Sequence, residues 1–130
     1  MKRLILTVSK FLLVALALGL TIERAQAQDP VKVDSTHYTV VFENDQVRVL
    51  RIKYGPHEKS VMHYHPDAVA VFLKDAMVKM TLSDGKTADA GGKTGEAVWT
   101  PAGKHLPENV GKKPFELILI ELKGKSDKDK

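Results

Sequence analysis

The stretch SVMHYHPDAVAVF, residues 60–72, places His63 and His65 one residue apart, with Pro66 directly behind them. On a strand, residues i and i+2 point to the same face. Two neutral imidazoles on one face can chelate a single ion of the zinc, iron, copper, nickel or manganese kind. The chain has five histidines and no cysteine, so thiolate ligands and thiol nucleophiles are excluded.

A third imidazole follows in GEAVWTPAGKHLPENVG, residues 95–111, where His105 stands two residues after Gly103. Pro101 fixes its own φ and Gly103 permits a tight bend, so the turn is expected to set the following backbone rigidly. That geometry suits a ligand delivered from a second strand. Glu108 follows His105 by three, an odd offset that points away on a regular strand. A bulge at Pro107 would reverse that and make Glu108 a general base or a partner to a ligand. His57 reads as a rim residue and His37 starts the first strand far from the others. Met62, Tyr64, Phe72 and Trp99 read as core or interface, with Trp99 the best candidate to touch a ligand. Asn109 reads as a tie for the strand after His105.

The segments that must hold these groups are short and β-branched. HYTVVF (37–42) and QVRVLRIKY (46–54) flank a turn at Asn44-Asp45. A short run over 60–65 and AVAVFLK (68–74) come next. In MVKMTL (77–82), Val78, Met80 and Leu82 alternate with polar residues. Ser83-Asp84-Gly85-Lys86 is a hairpin turn in which Asp-Gly supplies positive φ cheaply. TADA (87–90), EAVWT (96–100), a segment near 104–110 and FELILIEL (115–122) complete eight or nine strands. No stretch after residue 27 keeps helical apolar spacing for three turns, so the pattern predicts an all-β sandwich or barrel. Ala68–Leu73 and Leu117–Leu122 are apolar on both faces. A strand covered on both sides needs a partner layer, and a homodimer is expected to provide it.

The two ends differ from this middle. Met1-Lys2-Arg3, an apolar run through Leu20, and Ala25-Gln26-Ala27 follow the order of a secretory signal peptide, with a cut after Ala27. The expectation is a periplasmic or secreted protein with no stable membrane anchor after cleavage. The alternative, a retained anchor, is weakened by Ser9 and Lys10 inside the run. Removing the leader leaves 16 basic and 15 acidic residues, so the excess of positive charge belongs mainly to the leader. With no basic stripe and no interleaved aromatics, a nucleic-acid partner is not expected. Residues 28–122 are enough for one domain with one core. Residues 28–36 are expected to be a loose polar arm, and residues 123–130 a disordered charged tail.

The two histidine segments resemble the motifs of the cupin superfamily. His63-Tyr64-His65 fits the first motif, Gly-x5-His-x-His-x3or4-Glu-x6-Gly. Gly95-x5-Pro101-Ala102-Gly103 and His105-x3-Asn109 fit the second, with one spacer residue fewer between glycine and histidine. The likeness covers about residues 40–122, and more narrowly is similar to small single-domain cupins of the β-alanine-degradation type. It implies a jelly-roll barrel of short antiparallel strands with one divalent transition metal in its mouth. The carboxylate of the first motif would fall at Val69 or Ala70 and is absent, its leading glycine at His57, and its closing glycine at Ala76 or Met77. What remains is a three-imidazole set, His63, His65 and His105, with open positions for a small-molecule ligand. Three functions follow as expectations: a small-molecule metalloenzyme with Glu108 or His57 for acid–base work, a non-catalytic ligand- or metal-binding module, and a structural barrel without metal.

Overall fold

The structure is a computed structural model that describes residues 28–124. The expected leader, 1–27, and the tail beyond Gly124 lie outside the described residues. The order is a short helix α1 (Pro30–Val33) and nine strands. These are β1 (Tyr38–Glu43), β2 (Val47–Tyr54), β3 (His63–His65), β4 (Ala68–Phe72), β5 (Val78–Leu82), β6 (Thr87–Asp89), β7 (Ala97–Thr100), β8 (Gly103–Asn109) and β9 (Phe115–Leu122). All nine strands arise from the segments expected to be strands. None of the helices among the described residues is long and apolar enough to cross a membrane.

Five strands form one sheet in the order β1-β2-β9-β4-β7, and four form a second in the order β3-β8-β5-β6. Every pairing is antiparallel. From β2 to β5 and again from β6 to β9 consecutive strands alternate between the sheets, with β5 and β6 kept together as a hairpin, which is the winding of a jelly roll. The turns are those that local chemistry favours. The Asn44 side chain accepts from the backbone N–H groups of Gln46 and Val47. Gly85 sits at φ 84°, a region that costs glycine nothing.

The core lies between the sheets. On β2, Leu50, Ile52 and Tyr54 point inward, on β4 Ala68, Ala70 and Phe72, and on β9 Phe115, Leu117 and Leu119. Gly92 must be small here: a Cβ there would lie 2.4 Å from the Phe72 ring. The outward residues of β4 and β9 are half-buried rather than covered. Register aligns Phe42, Val49, Ile120, Val69 and Trp99 in one row across the outer face of the larger sheet. The two ends of that row, Phe42 and Trp99, are 54% and 55% exposed.

The N-terminal arm is not loose. Asp29 caps α1 by accepting from the Val31 N–H at 3.0 Å, and Pro30 occupies the first turn. The Gln28 carbonyl accepts from Tyr64 N–H, which docks the arm on β3. Polar composition suggested solvation, but these polar atoms have partners in the fold. Lys123, assigned to the tail, also extends the edge of β9: its N–H reaches Gln46 O and its Nζ lies 2.8 Å from Glu43.

Candidate metal centre

Strand β3 is only three residues long because Pro66 ends it, and all three pair with β8. The register sets His63 opposite His105 and His65 opposite Gly103. Asp67 closes the neighbouring turn by accepting from Ala102 N–H at 2.8 Å. Gly103 itself has no positive φ and open space where a Cβ would stand, so the rigidity expected of it comes from the Asp67 staple instead.

The three imidazoles converge. Ring centroids are 4.8 Å apart for His63–His65, 5.0 Å for His63–His105 and 5.1 Å for His65–His105. Their candidate ligand nitrogens all lie within 4.8 Å of one another. His63 is fully buried and His65 is 4% exposed, while His105 is half-buried.

Hydrogen bonds fix which nitrogens face inward. His63 Nδ1 lies 2.8 Å from the Val61 carbonyl, which can only accept, so Nδ1 carries the proton. His65 Nδ1 lies 2.6 Å from Glu121 Oε1, and the same argument protonates it. Both Nε2 atoms are then bare in the neutral rings, and they face each other at 3.0 Å. Two lone pairs at that distance repel unless something positive lies between them. An ion with bonds of about 2.0–2.1 Å in tetrahedral geometry separates its nitrogens by about 3.3 Å. The residues present therefore fit a divalent metal.

Electrostatics keep the set ready to bind. Burial, reinforced by the neighbouring His65, pushes the His63 pKa down to about 4. Burial, with His65 and His63 beside it, pushes His105 down to about 3. Both rings are neutral at pH 7, which ligation requires. Burial would raise the Glu121 pKa, but the bonds from His65 and Arg48 outweigh it and leave the carboxyl below its usual range. Arg48 Nε donates to Glu121 Oε2 at 2.5 Å, and Arg48 Nη1 donates to Asp29 Oδ2 at 2.7 Å. The chain Asp29–Arg48–Glu121–His65 thus orients one ring from behind, the usual partner arrangement for a ligating histidine.

The sequence reading missed Glu121 and Arg48. The signal was there: Glu121 is in phase with Phe115, Leu117 and Leu119, and Arg48 with Leu50, Ile52 and Tyr54, so both charges fall on the buried face. It also missed Tyr38, whose ring packs edge-on against His63 with centroids 4.8 Å apart, while its hydroxyl pairs with that of Tyr54 at 2.7 Å.

Other candidates lie elsewhere. The β5–β8 register runs without a bulge through Pro107, so Glu108 keeps the face opposite to His105. Its carboxylate lies 3.2 Å from Lys79 Nζ, away from the three rings. His57 is exposed at φ 60° and stands apart from the cluster. His37 bridges Asp34 and Glu58 and stacks on Tyr54 at 4.2 Å, a structural knot behind the barrel wall. Buried Asn109 donates to the Gly55 and Lys113 carbonyls and so ties two loops to β8, as expected of it.

A cavity of about 480 Å³ opens beside the cluster. His65 and His105 contribute to its wall, along with Ile52, Ala70, Phe72, Val78 and Leu119. Ala70 is the inward one of the two positions at which the carboxylate of the first motif would fall; Val69 points outward.

A comparison with family models and one with curated proteins each found no match. Solved structures do resemble the chain. A cupin domain from Bordetella pertussis is 24% identical, with a TM-score of 0.62, covering 67% of this chain and 92% of that one. A protein with a double-stranded β-helix domain from Klebsiella pneumoniae is 20% identical, with a TM-score of 0.54, covering 68% and 73%. A cupin family protein with a double-stranded β-helix fold from Methanocaldococcus jannaschii is 17% identical, with a TM-score of 0.53, covering 65% and 77%. Two antiparallel sheets wound as a jelly roll, with three imidazoles gathered at one wall, make this chain a protein of the cupin fold.

Proposed function

We propose that the protein binds one divalent transition metal through His63, His65 and His105 and acts on a small molecule seated in the adjoining cavity. The observation that carries this reading is the pair of bare Nε2 atoms held at 3.0 Å by protonated Nδ1 atoms, with a third ring 5 Å away. A divalent ion in such a site supplies Lewis acidity to an oxygen bound beside it. The chain's own residues do the rest. Glu121 and Val61 hold the ring tautomers, Tyr38 packs against His63 and His65 with its hydroxyl paired to that of Tyr54, and the apolar wall limits water. With Glu108 turned outward, the described residues that line the cavity offer one acid, Asp89 on edge strand β6. That favours chemistry centred on the ion, or retention of a ligand by it, over paired acid–base catalysis. Export to the periplasm, supported by the leader pattern of residues 1–27, belongs to the same proposal.

The test is metal content. Purified protein dialysed against zinc, iron, manganese, nickel or copper is expected to retain about one equivalent of at least one of them, and His105→Ala to lose most of it. A ratio near zero for all five metals would leave only a structural barrel. Export is checked by the N-terminus of protein recovered from the periplasmic fraction, which should begin at Gln28.

A further inference from the structure

The charges around the three rings can be summed from the side chains present. A metal-ligating imidazole is neutral, so His63, His65 and His105 bring none. The negative Glu121 sits behind His65, and the Arg48 guanidinium, bonded to it at 2.5 Å, is shared with Asp29 at 2.7 Å, so the brace as a whole is one charge negative. The inward face of β4 offers methyl groups, Ala68 and Ala70. Among the described residues lining the cavity, the only acid is Asp89, exposed on edge strand β6. A divalent ion held by the three rings would offset that brace and still leave a net positive charge, directed into a mostly apolar chamber whose lining also holds Lys104.

We propose that the molecule this cavity takes is a small monoanion: a carboxylate, or an equivalent oxyanion, carried on an apolar body. This rests on the metal reading above and deepens it. The oxyanion meets the uncompensated charge beside His65 and His105, at the wall where Ala70 leaves room. The apolar body lies against Ile52, Phe72, Val78 and Leu119. Both halves of the ligand are needed. A bare anion leaves the apolar wall wet, and a neutral molecule leaves the charge unmatched in a medium that amplifies it. A cation is excluded by the same charge.

The test compares hexanoate with its neutral analogue hexanamide, and with acetate, on protein loaded with zinc and on protein stripped of metal, by titration calorimetry. Hexanoate is expected to bind the loaded protein roughly tenfold or more tightly than hexanamide, because a charge-assisted contact replaces a neutral one. That advantage should vanish in the stripped protein. Acetate should bind more weakly, by up to about fourfold for each methylene lost. On cobalt-loaded protein the visible spectrum should shift with hexanoate and not with hexanamide. If the protein takes up metal but binds hexanoate and hexanamide equally, or leaves the cobalt spectrum unchanged with hexanoate, this inference is overturned and the metal reading stands. If no metal is taken up, both fall together.

Discussion

At the scale of single residues, the weight rests on Glu121. Its carboxylate does not face the cavity, yet it sets the tautomer of His65 and carries a buried charge shared with Arg48. Glu121→Gln keeps the shape and removes the charge, so metal affinity should fall by about 10–100-fold while the fold persists. Competition against a chelator of known affinity measures this, and an unchanged constant would mean that Glu121 has no part in the site. The rings also make stability depend on pH. Unfolded histidines titrate near 6.5, whereas folded His63 and His105 stay neutral down to about 4 and about 3. Between those values the unfolded chain binds more protons than the folded one, so stability falls as pH falls. Metal-free protein should show a midpoint of thermal unfolding that drops progressively from pH 7 toward pH 4. A variant with both histidines replaced by asparagine should lose part of that slope. Equal slopes for the two proteins would remove the burial argument.

At the scale of elements, the arm and β2 act together. Asp29 caps α1 and anchors Arg48, so one side chain serves both a helix end and the brace behind His65. Asp29→Ala should cost roughly 1–2 kcal/mol of stability in chemical denaturation, mostly as a lost cap. It should weaken metal binding less than Glu121→Gln does; a larger metal defect than that of Glu121→Gln would reverse this ranking. Element by element, the strands were legible because period two and turn chemistry agree: Asn44 and Gly85 do what their types suggest. The convergence of His63, His65 and His105 was legible because two lie on one strand face and the third follows a Pro-x-Gly turn. The brace was not, because Glu121 is 73 positions from Arg48 and 56 from His65 in the chain. The pairing of β2 with β9 brings Arg48 to Glu121, and the packing of the two sheets brings Glu121 to His65. Composition misread the arm for a related reason: Gln28 and Asp29 are polar, and nothing local says that their partners are Tyr64 and Arg48.

At the scale of the whole molecule, the outer face of the larger sheet is the feature left without a layer over it among the described residues. Phe42, Val49, Ile120, Val69 and Trp99 form its apolar row, flanked by the Arg51–Glu116 ion pair. Two copies related by a two-fold axis would set row on row at the usual spacing of stacked sheets, about 10 Å. Sedimentation should therefore give a dimer, and Trp99→Lys should shift it toward monomer with the metal site intact. A wild-type protein that sediments as a monomer at micromolar concentration would set the pairing aside.

His63 is sealed, and only His65 and His105 reach the cavity wall. Traffic to the nitrogens of His65 and His105 across that wall therefore shares its doorway with whatever occupies the chamber. A tenant in that chamber bars the ion's exit, so a chelator should strip the protein more slowly when the room is let than when it is vacant.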